Sequence, residues 1–458
     1  MACLGGGPCS GDGGACGGRT QRQRSSLPPS STGIANTKLC CKCQERDGVA
    51  KANQTESLCP PCLRSSLFAK FKLAVTSHAM ISPTDKLLVA FSGGPASRVA
   101  LEFVNEMQSK AQRNADASKE KCLAVFQVGV AFIDEKMVSQ ASSTEACRAV
   151  EEVRDIVSSM GNPSKELHVF PIEDICSIDT EGSDGKDRLK DLLDAIDDVT
   201  GKEDFVQYLR MISLQKIAVD HGYSKLVLGL CTSRIACHVI AATVKGQGYS
   251  LPADVQYVDA RWEVPVLCPL HDCVIQELTM LCQLDNLKTL QPLKVHQPSV
   301  NSIISSFVAL LQEENPSRER TIVKTAEKLR SFSFNKLVHS IDKLAFRRRH
   351  RLLRFNCIES TSSEALCAIC SSPLEKSGVP CSNSELEYSQ SEMVMFRSVC
   401  CPSCQFQILP EEPLDMERFY SFLPQSMIRK ANGDVIADQN SLRDQIQDCL
   451  LSEDEDGA

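Results

Sequence analysis

The chain has 458 residues, 42% hydrophobic and 24% charged, with a formal net charge of −8. That length accommodates two or three domains around a sizeable core, no apolar run approaches the roughly 20 residues of a membrane span, and the acidic balance excludes uniform coating of nucleic acid. Its 24 cysteines fall partly into Cys-x-x-Cys pairs, and no hydrophobic signal segment opens the sequence, so metal binding in a reducing cytoplasm is expected rather than disulfides.

Residues 1–38 are rich in Gly, Ser and Pro, with Asp12 as their one acid, and are expected to form a disordered leader. Residues 39–64 follow as an N-terminal module. Cys40, Cys43, Cys59 and Cys62 give Cys-x2-Cys-x15-Cys-x2-Cys, a zinc-ribbon spacing. Four thiolates in a tetrahedron around zinc replace a hydrophobic core in so small a unit. Cys41 reads as a bystander that could substitute for Cys40.

Residues 65–315 read as an α/β domain. After a helix carrying Leu67, Phe68, Phe71 and Val75, the run Leu87 to Phe91 is expected to be a strand buried on both faces. Ser92, Gly93 and Gly94 break it, and Ala100, Phe103, Val104 and Met107 then recur at helical spacing. Strand, glycine loop and helix together form a phosphate-binding arrangement, because glycines admit the anion and the helix N-terminus offers free N–H groups. A plain tight turn would use the same residues.

The stretch Ser92-Gly93-Gly94-Pro95-Ala96-Ser97 resembles the Ser-Gly-Gly-x-Asp-Ser signature of the PP-loop ATP pyrophosphatases, whose fold is adenine nucleotide α-hydrolase-like. Such enzymes activate a substrate by adenylation and release pyrophosphate. Ala96 stands in place of the aspartate, so the loop keeps the shape of an anion nest and loses the carboxylate suited to magnesium. Ser92, Gly93, Gly94 and Ser97 are thus a nucleotide-loop remnant.

Leu123 to Glu135 is a second expected strand, and its Ile-Asp-Glu ending resembles PP-loop enzymes that thiolate tRNA. Asp134 and Glu135 would stand at the carboxyl end of a parallel strand, where such folds bind ligands, or simply end the strand. A helix over 137–160 and a strand over 167–172 follow. The acidic stretch 173–204 holds 12 Asp and Glu against four Lys and Arg and reads as a solvated insertion. After a helix from Phe205 and the strand Lys225 to Leu230, catalytic thiolases of this type carry Gly-His-Asn-x-Asp-Asp. Here the sequence is Gly229-Leu230-Cys231-Thr232-Ser233-Arg234, and Glu203 to Tyr208 lack the Cys-x-x-Cys that precedes the helix in those enzymes. Cys231 is either a sulfur-handling thiol or a buried small hydrophobe. Helices are expected at 234–245 and 271–285, with a strand between Val255 and Val266.

Residues 316–356 form a basic helical segment. Between Pro316 and Phe355 lie 12 Lys and Arg against three acids, with Phe332, Phe334, Phe346 and Phe355 interleaved. Arg347, Arg348, Arg349 and Arg351 are RNA-contact candidates through phosphate pairing and base stacking, or else a solvated helix face. Residues 357–425 form a second cysteine module, with Cys367, Cys370, Cys401 and Cys404 as metal ligands, and 426–458 an acidic tail.

The whole order is similar to that of the cytoplasmic tRNA 2-thiolation protein 2 family, across roughly residues 39–425. The resemblance implies a doubly wound parallel sheet flanked by two zinc-ribbon-like modules, with no catalytic residue of its own and no assured ATP site. It implies a non-catalytic subunit of an ATP-dependent tRNA sulfurtransferase, paired with a catalytic PP-loop subunit. It also implies cytoplasmic action on the wobble uridine of tRNAs for Lys, Glu and Gln, with sulfur arriving on a thiocarboxylated ubiquitin-like carrier. An enzyme active in its own right and a zinc-ribbon scaffold outside tRNA modification are the two rival expectations.

Overall fold

The computed structural model describes residues 39–46, 48, 50–53, 56–117, 124–139, 143–161, 163–177, 184–290, 298–315, 317–330, 332, 366–374 and 388–432. The leader 1–38, the arginine run Arg347–Arg351 and residues 433–458 of the expected acidic tail lie outside the described residues.

A short antiparallel hairpin, β1 (Ala50–Asn53) and β2 (Glu56–Leu58), precedes helix α1 (Pro60–Ser77). Then come β3 (Lys86–Ala90), α2 (Pro95–Ala117), β4 (Gln127–Asp134), α3 (Ser143–Ser158) and β5 (Glu166–Pro171). A 3₁₀ turn over Ile172–Cys176 leads to α4 (Asp184–Asp194), α5 (Val199–Asp220), β6 (Lys225–Val227), α6 (Thr232–Val244) and α7 (Leu251–Asp254). Strands β7 (Val258–Asp259) and β8 (Val266–Leu267) and helices α8 (Ile275–Leu284), α9 (Val300–Glu314) and α10 (Ser317–Ala326) complete this part. The last described helices are α11 (Tyr388–Ser398), α12 (Pro402–Gln407), α13 (Pro413–Phe422) and α14 (Gln425–Asn432).

The main sheet has the order β5-β4-β3-β6-β8-β7, parallel except for β7. Successive side chains alternate across a strand. Leu87 and Val89 therefore enter the core under α1, α2, α3 and α8, while Leu88 enters the opposite core under α5. Helices on both faces make the fold doubly wound. The chain builds outward from β3 to β5 and then returns to add β6 on the other side. The reversal point of such a sheet is where ligands bind, outside the strand carboxyl ends. The glycine loop follows β3 and Gly229 follows β6, so both degenerate motifs meet there.

Four expectations need revision. Residues 426–432, expected in the acidic tail, lie in α14, whose Met427 is buried against the C-terminal module. The single strand expected between Val255 and Val266 is the short hairpin of β7 and β8, turned by Arg261, which bonds Asp254 and Asp259. The acidic stretch 173–204 is not a solvated insertion. Leu189, Leu192 and Ile196 form a buried stripe that seats Phe396, Phe419 and Leu423 of the C-terminal module. Arg188 fastens the contact by donating to the Ser421 carbonyl at 2.7 Å. Finally, α10 packs with α6 and α9 around Val323 and Ala326, so the start of the expected basic segment belongs to the α/β body.

Candidate functional site

At the reversal point the serines of the loop satisfy each other. Ser92 donates to the Ser97 hydroxyl at 3.2 Å, and Ser97 donates to the Gly94 carbonyl at 3.0 Å. Gly93 has φ +78, the left-handed region that favours glycine. A leucine packs against this turn at Gly93. Leu290 lays its side chain over Gly93, where a Cβ would stand, and its N–H donates to the Gly93 carbonyl at 2.9 Å. An apolar side chain thus lies against the turn that should present N–H groups to an anion.

The neighbouring motif is equally occupied. Gly229 brings the end of β6 against the first turn of α2, where a Cβ would meet the Ser97 Cα and N at 2.6 Å. Cys231 caps α6 with no exposure, and burial pushes its thiol up, which makes it a poor nucleophile and a good packing residue. Thr232 donates to the His271 carbonyl at 2.6 Å, and Ser233 donates to the buried Glu319 carboxyl at 2.6 Å. Glu135 is held by both oxygens on the Arg210 guanidinium, while Asp134 accepts the Lys136 N–H at 3.1 Å. The acids at the head of α5 bind neighbours too: Glu203 accepts from Ser299 at 2.7 Å, and Asp204 pairs with Lys245 at 2.6 Å. Sequence reasoning located these positions. Leu290 and Glu319 escaped it, because neither sits in a motif.

The two cysteine clusters share one construction. In each, the first pair lies on a turn whose next residue takes left-handed backbone: Gln44 at φ 56 and Ser371 at φ 57. The Gln44 N–H donates to the Cys40 carbonyl, and the Ser371 N–H to the Cys367 carbonyl, both at 2.9 Å. The second pair opens a helix, with Cys59 and Cys401 as N-caps followed by Pro60 and Pro402. Proline at N1 is pre-set for the first turn, and the positive helix end favours thiolates. Within each set the four sulfurs lie within 4.8 Å of one another. Cys43 and Cys59 stand 3.7 Å apart, Cys370 and Cys401 3.6 Å. Thiolates 2.3 Å from one tetrahedral ion would be separated by roughly 3.8 Å, whereas a disulfide needs about 2.05 Å. Both clusters therefore fit a single metal ion. In a multi-iron cluster each iron takes its own thiolate, which spreads the ligand sulfurs farther. The Cys43 backbone draws the Cys40 thiol down to about 6, while the Cys59 sulfur pushes Cys62 up to about 12. Four crowded thiols lose their protons together only around a cation. Cys41 is exposed and outside the set.

A third group, Glu166, His168 and His221, lies at the opposite end of the sheet. Tyr223 stands among it, 2.8 Å from His168 Nε2 and 3.4 Å from Glu166 Oε2, with the Lys86 amine over its ring at 4.4 Å. Tyr223 thus links His168 to Glu166, while His221 stacks near His168 and bonds the Ile217 carbonyl at 3.1 Å through Nδ1. A cavity of about 580 Å³ lies beside α4 and α13, walled by Asp191, Asp194, Asp197, Glu411 and Asp415. That charge repels phosphates. Among the described residues, no helix is long and apolar enough to cross a membrane.

No protein-family model matches the chain. It is similar to "Cytoplasmic tRNA 2-thiolation protein 2" of Oryza sativa subsp. japonica, at 49% identity over 427 residues, covering 93% of this chain and 91% of that protein. The protein of the same name from Arabidopsis thaliana is 52% identical over 404 residues, 87% of each chain. Among solved structures, the U34-tRNA thiolase NcsA from Methanococcus maripaludis with its 4Fe-4S cluster aligns with a TM-score of 0.48 at 16% identity, over 64% of this chain and 86% of that one.

Proposed function

The chain belongs to the cytoplasmic tRNA 2-thiolation protein 2 family, and from that premise we propose that it is the non-catalytic partner of an intact PP-loop subunit. The pair would replace O2 of the wobble uridine (U34) with sulfur in tRNAs for Lys, Glu and Gln. The chemistry needs ATP-dependent adenylation of the uridine carbonyl oxygen, sulfur attack from a thiocarboxylated ubiquitin-like carrier, and loss of AMP. Those steps fall to the partner. The observation that carries the non-catalytic reading is Leu290 seated on Gly93, with Ala96 buried behind it. With no carboxylate in the loop a triphosphate finds no magnesium ligand there, and Leu290 crowds the turn that would receive it.

This chain's own residues would build the assembly. Cys40, Cys43, Cys59 and Cys62 would hold one zinc, and Cys367, Cys370, Cys401 and Cys404 another. Zinc, when bound, supplies a structural cross-link with no open coordination position. The arginines at 347–349 and 351 would extend the tRNA surface by pairing with phosphates.

Nucleoside mass spectrometry of tRNA from cells lacking this chain tests the role. The expected result is loss of the 2-thio group at U34, restored by the wild-type chain and equally by a Ser92→Ala/Ser97→Ala variant. Intact thiolation in the deletion would assign the chain to a scaffold outside tRNA modification.

A further inference from the structure

The last described helix, α14, reaches back onto the second cysteine cluster. Lys430 Nζ donates to the Ser371 hydroxyl at 2.9 Å and stands 4.8 Å from the centroid of the Trp262 ring. Ser371 follows Cys370 directly, is fully buried, and is the left-handed residue that shapes the knuckle. The backbone also serves the sulfurs: the Cys401 N–H donates to Cys367 Sγ at 3.2 Å and the Ser372 N–H to Cys370 Sγ at 3.4 Å. Trp262 is held in turn, its ring N–H donating to Asp259 Oδ2 at 3.2 Å.

Four thiolates around one divalent ion leave a net charge of about −2. The surroundings are apolar, with Ala368, Ile369, Phe419 and Met427 fully buried. A dianion in such a place is costly unless a cation and hydrogen-bond donors compensate it. We propose that Lys430 is a positioning residue of the second metal site, its ammonium balancing the thiolate charge and fixing Ser371 in the knuckle while Trp262 holds it from the sheet edge. Metal site, C-terminal helix and edge hairpin then form one unit, and loading the ion steadies all three. The inference rests on the reading that these cysteines hold zinc.

The test uses the full chain and three variants, Lys430→Met, Lys430→Arg and Ser371→Ala. Zinc content is measured first by elemental analysis. Chelator is then added with an alkylating agent, and peptide mass spectrometry follows the modification rate of each cysteine. Loss of groups that orient metal ligands lowers metal affinity by about tenfold or more. Lys430→Met and Ser371→Ala should therefore speed alkylation of Cys367, Cys370, Cys401 and Cys404 about tenfold, with Cys40, Cys43, Cys59 and Cys62 unchanged. Lys430→Arg should restore the slow rate. Unchanged rates in Lys430→Met, or equal acceleration at both clusters, would overturn the proposal. A wild-type chain without two zinc ions would instead overturn the zinc reading beneath it.

Discussion

Ala96 is the position where a carboxylate would be restored first, and the geometry argues that restoring it does little. Ala96→Asp adds a possible magnesium ligand and leaves Leu290 over Gly93. Purified Ala96→Asp protein should release no AMP from ATP above the wild-type background. Gly229 makes a second residue-scale prediction. A methyl group there meets backbone, not a flexible side chain, so Gly229→Ala should destabilise the chain by about 1–3 kcal/mol, read as a lower midpoint in denaturant. His168 supplies a third. Burial first, and the charge of His221 second, hold its ring below the ordinary histidine value. The folded state then binds fewer protons than the unfolded one just below that value. Stability should accordingly fall as pH drops below about 6.5, and His168→Gln should flatten that slope. At this scale the sequence was readable wherever a motif had a known chemical position, as at Ala96 and Cys231. It was silent on Leu290, an ordinary leucine whose meaning comes from where the chain returns.

The elements show what spacing can reveal. Strand β3, the loop and α2 follow from the apolar run, the glycines and the helical repeat. The cysteine sets follow from their pairs. The knuckle-plus-helix construction was hidden, since Gln44 and Ser371 occupy left-handed positions that a reader expects glycine to mark. That conformation costs a non-glycine residue about 1–2 kcal/mol. Gln44→Gly should therefore raise the stability of the N-terminal module by about 1 kcal/mol, measured by its resistance to chelator-induced unfolding. Cys59→Ala/Cys62→Ala should do the opposite, abolishing one equivalent of bound zinc and weakening assembly with the partner subunit. The acidic stretch misled for a different reason. Its twelve acids dominate the composition, while Leu189, Leu192 and Ile196 carry the packing from one face.

Across the whole molecule the flanking modules are bolted to the α/β body. Arg64, just beyond Cys62 on α1, pairs with Glu102 at 3.3 Å and Glu106 at 2.8 Å on α2, and with Asp285 at the end of α8. Leu290 follows Asp285 five residues on. The N-terminal cysteine module and the loop against Leu290 are therefore joined through Arg64 and the end of α8. Arg64→Ala removes a cation shared by three acids, of which Glu102 keeps Arg98 and Glu106 keeps Lys110, and should cost about 1 kcal/mol. On the proposed function, such a body would serve as a platform for assembly. The most direct measurement is reconstitution with ATP, unmodified tRNA and a thiocarboxylated carrier, following AMP and 2-thiouridine together. This chain alone should yield neither product, and both should appear when the PP-loop subunit is added. Formation of both by this chain without its partner would contradict the account.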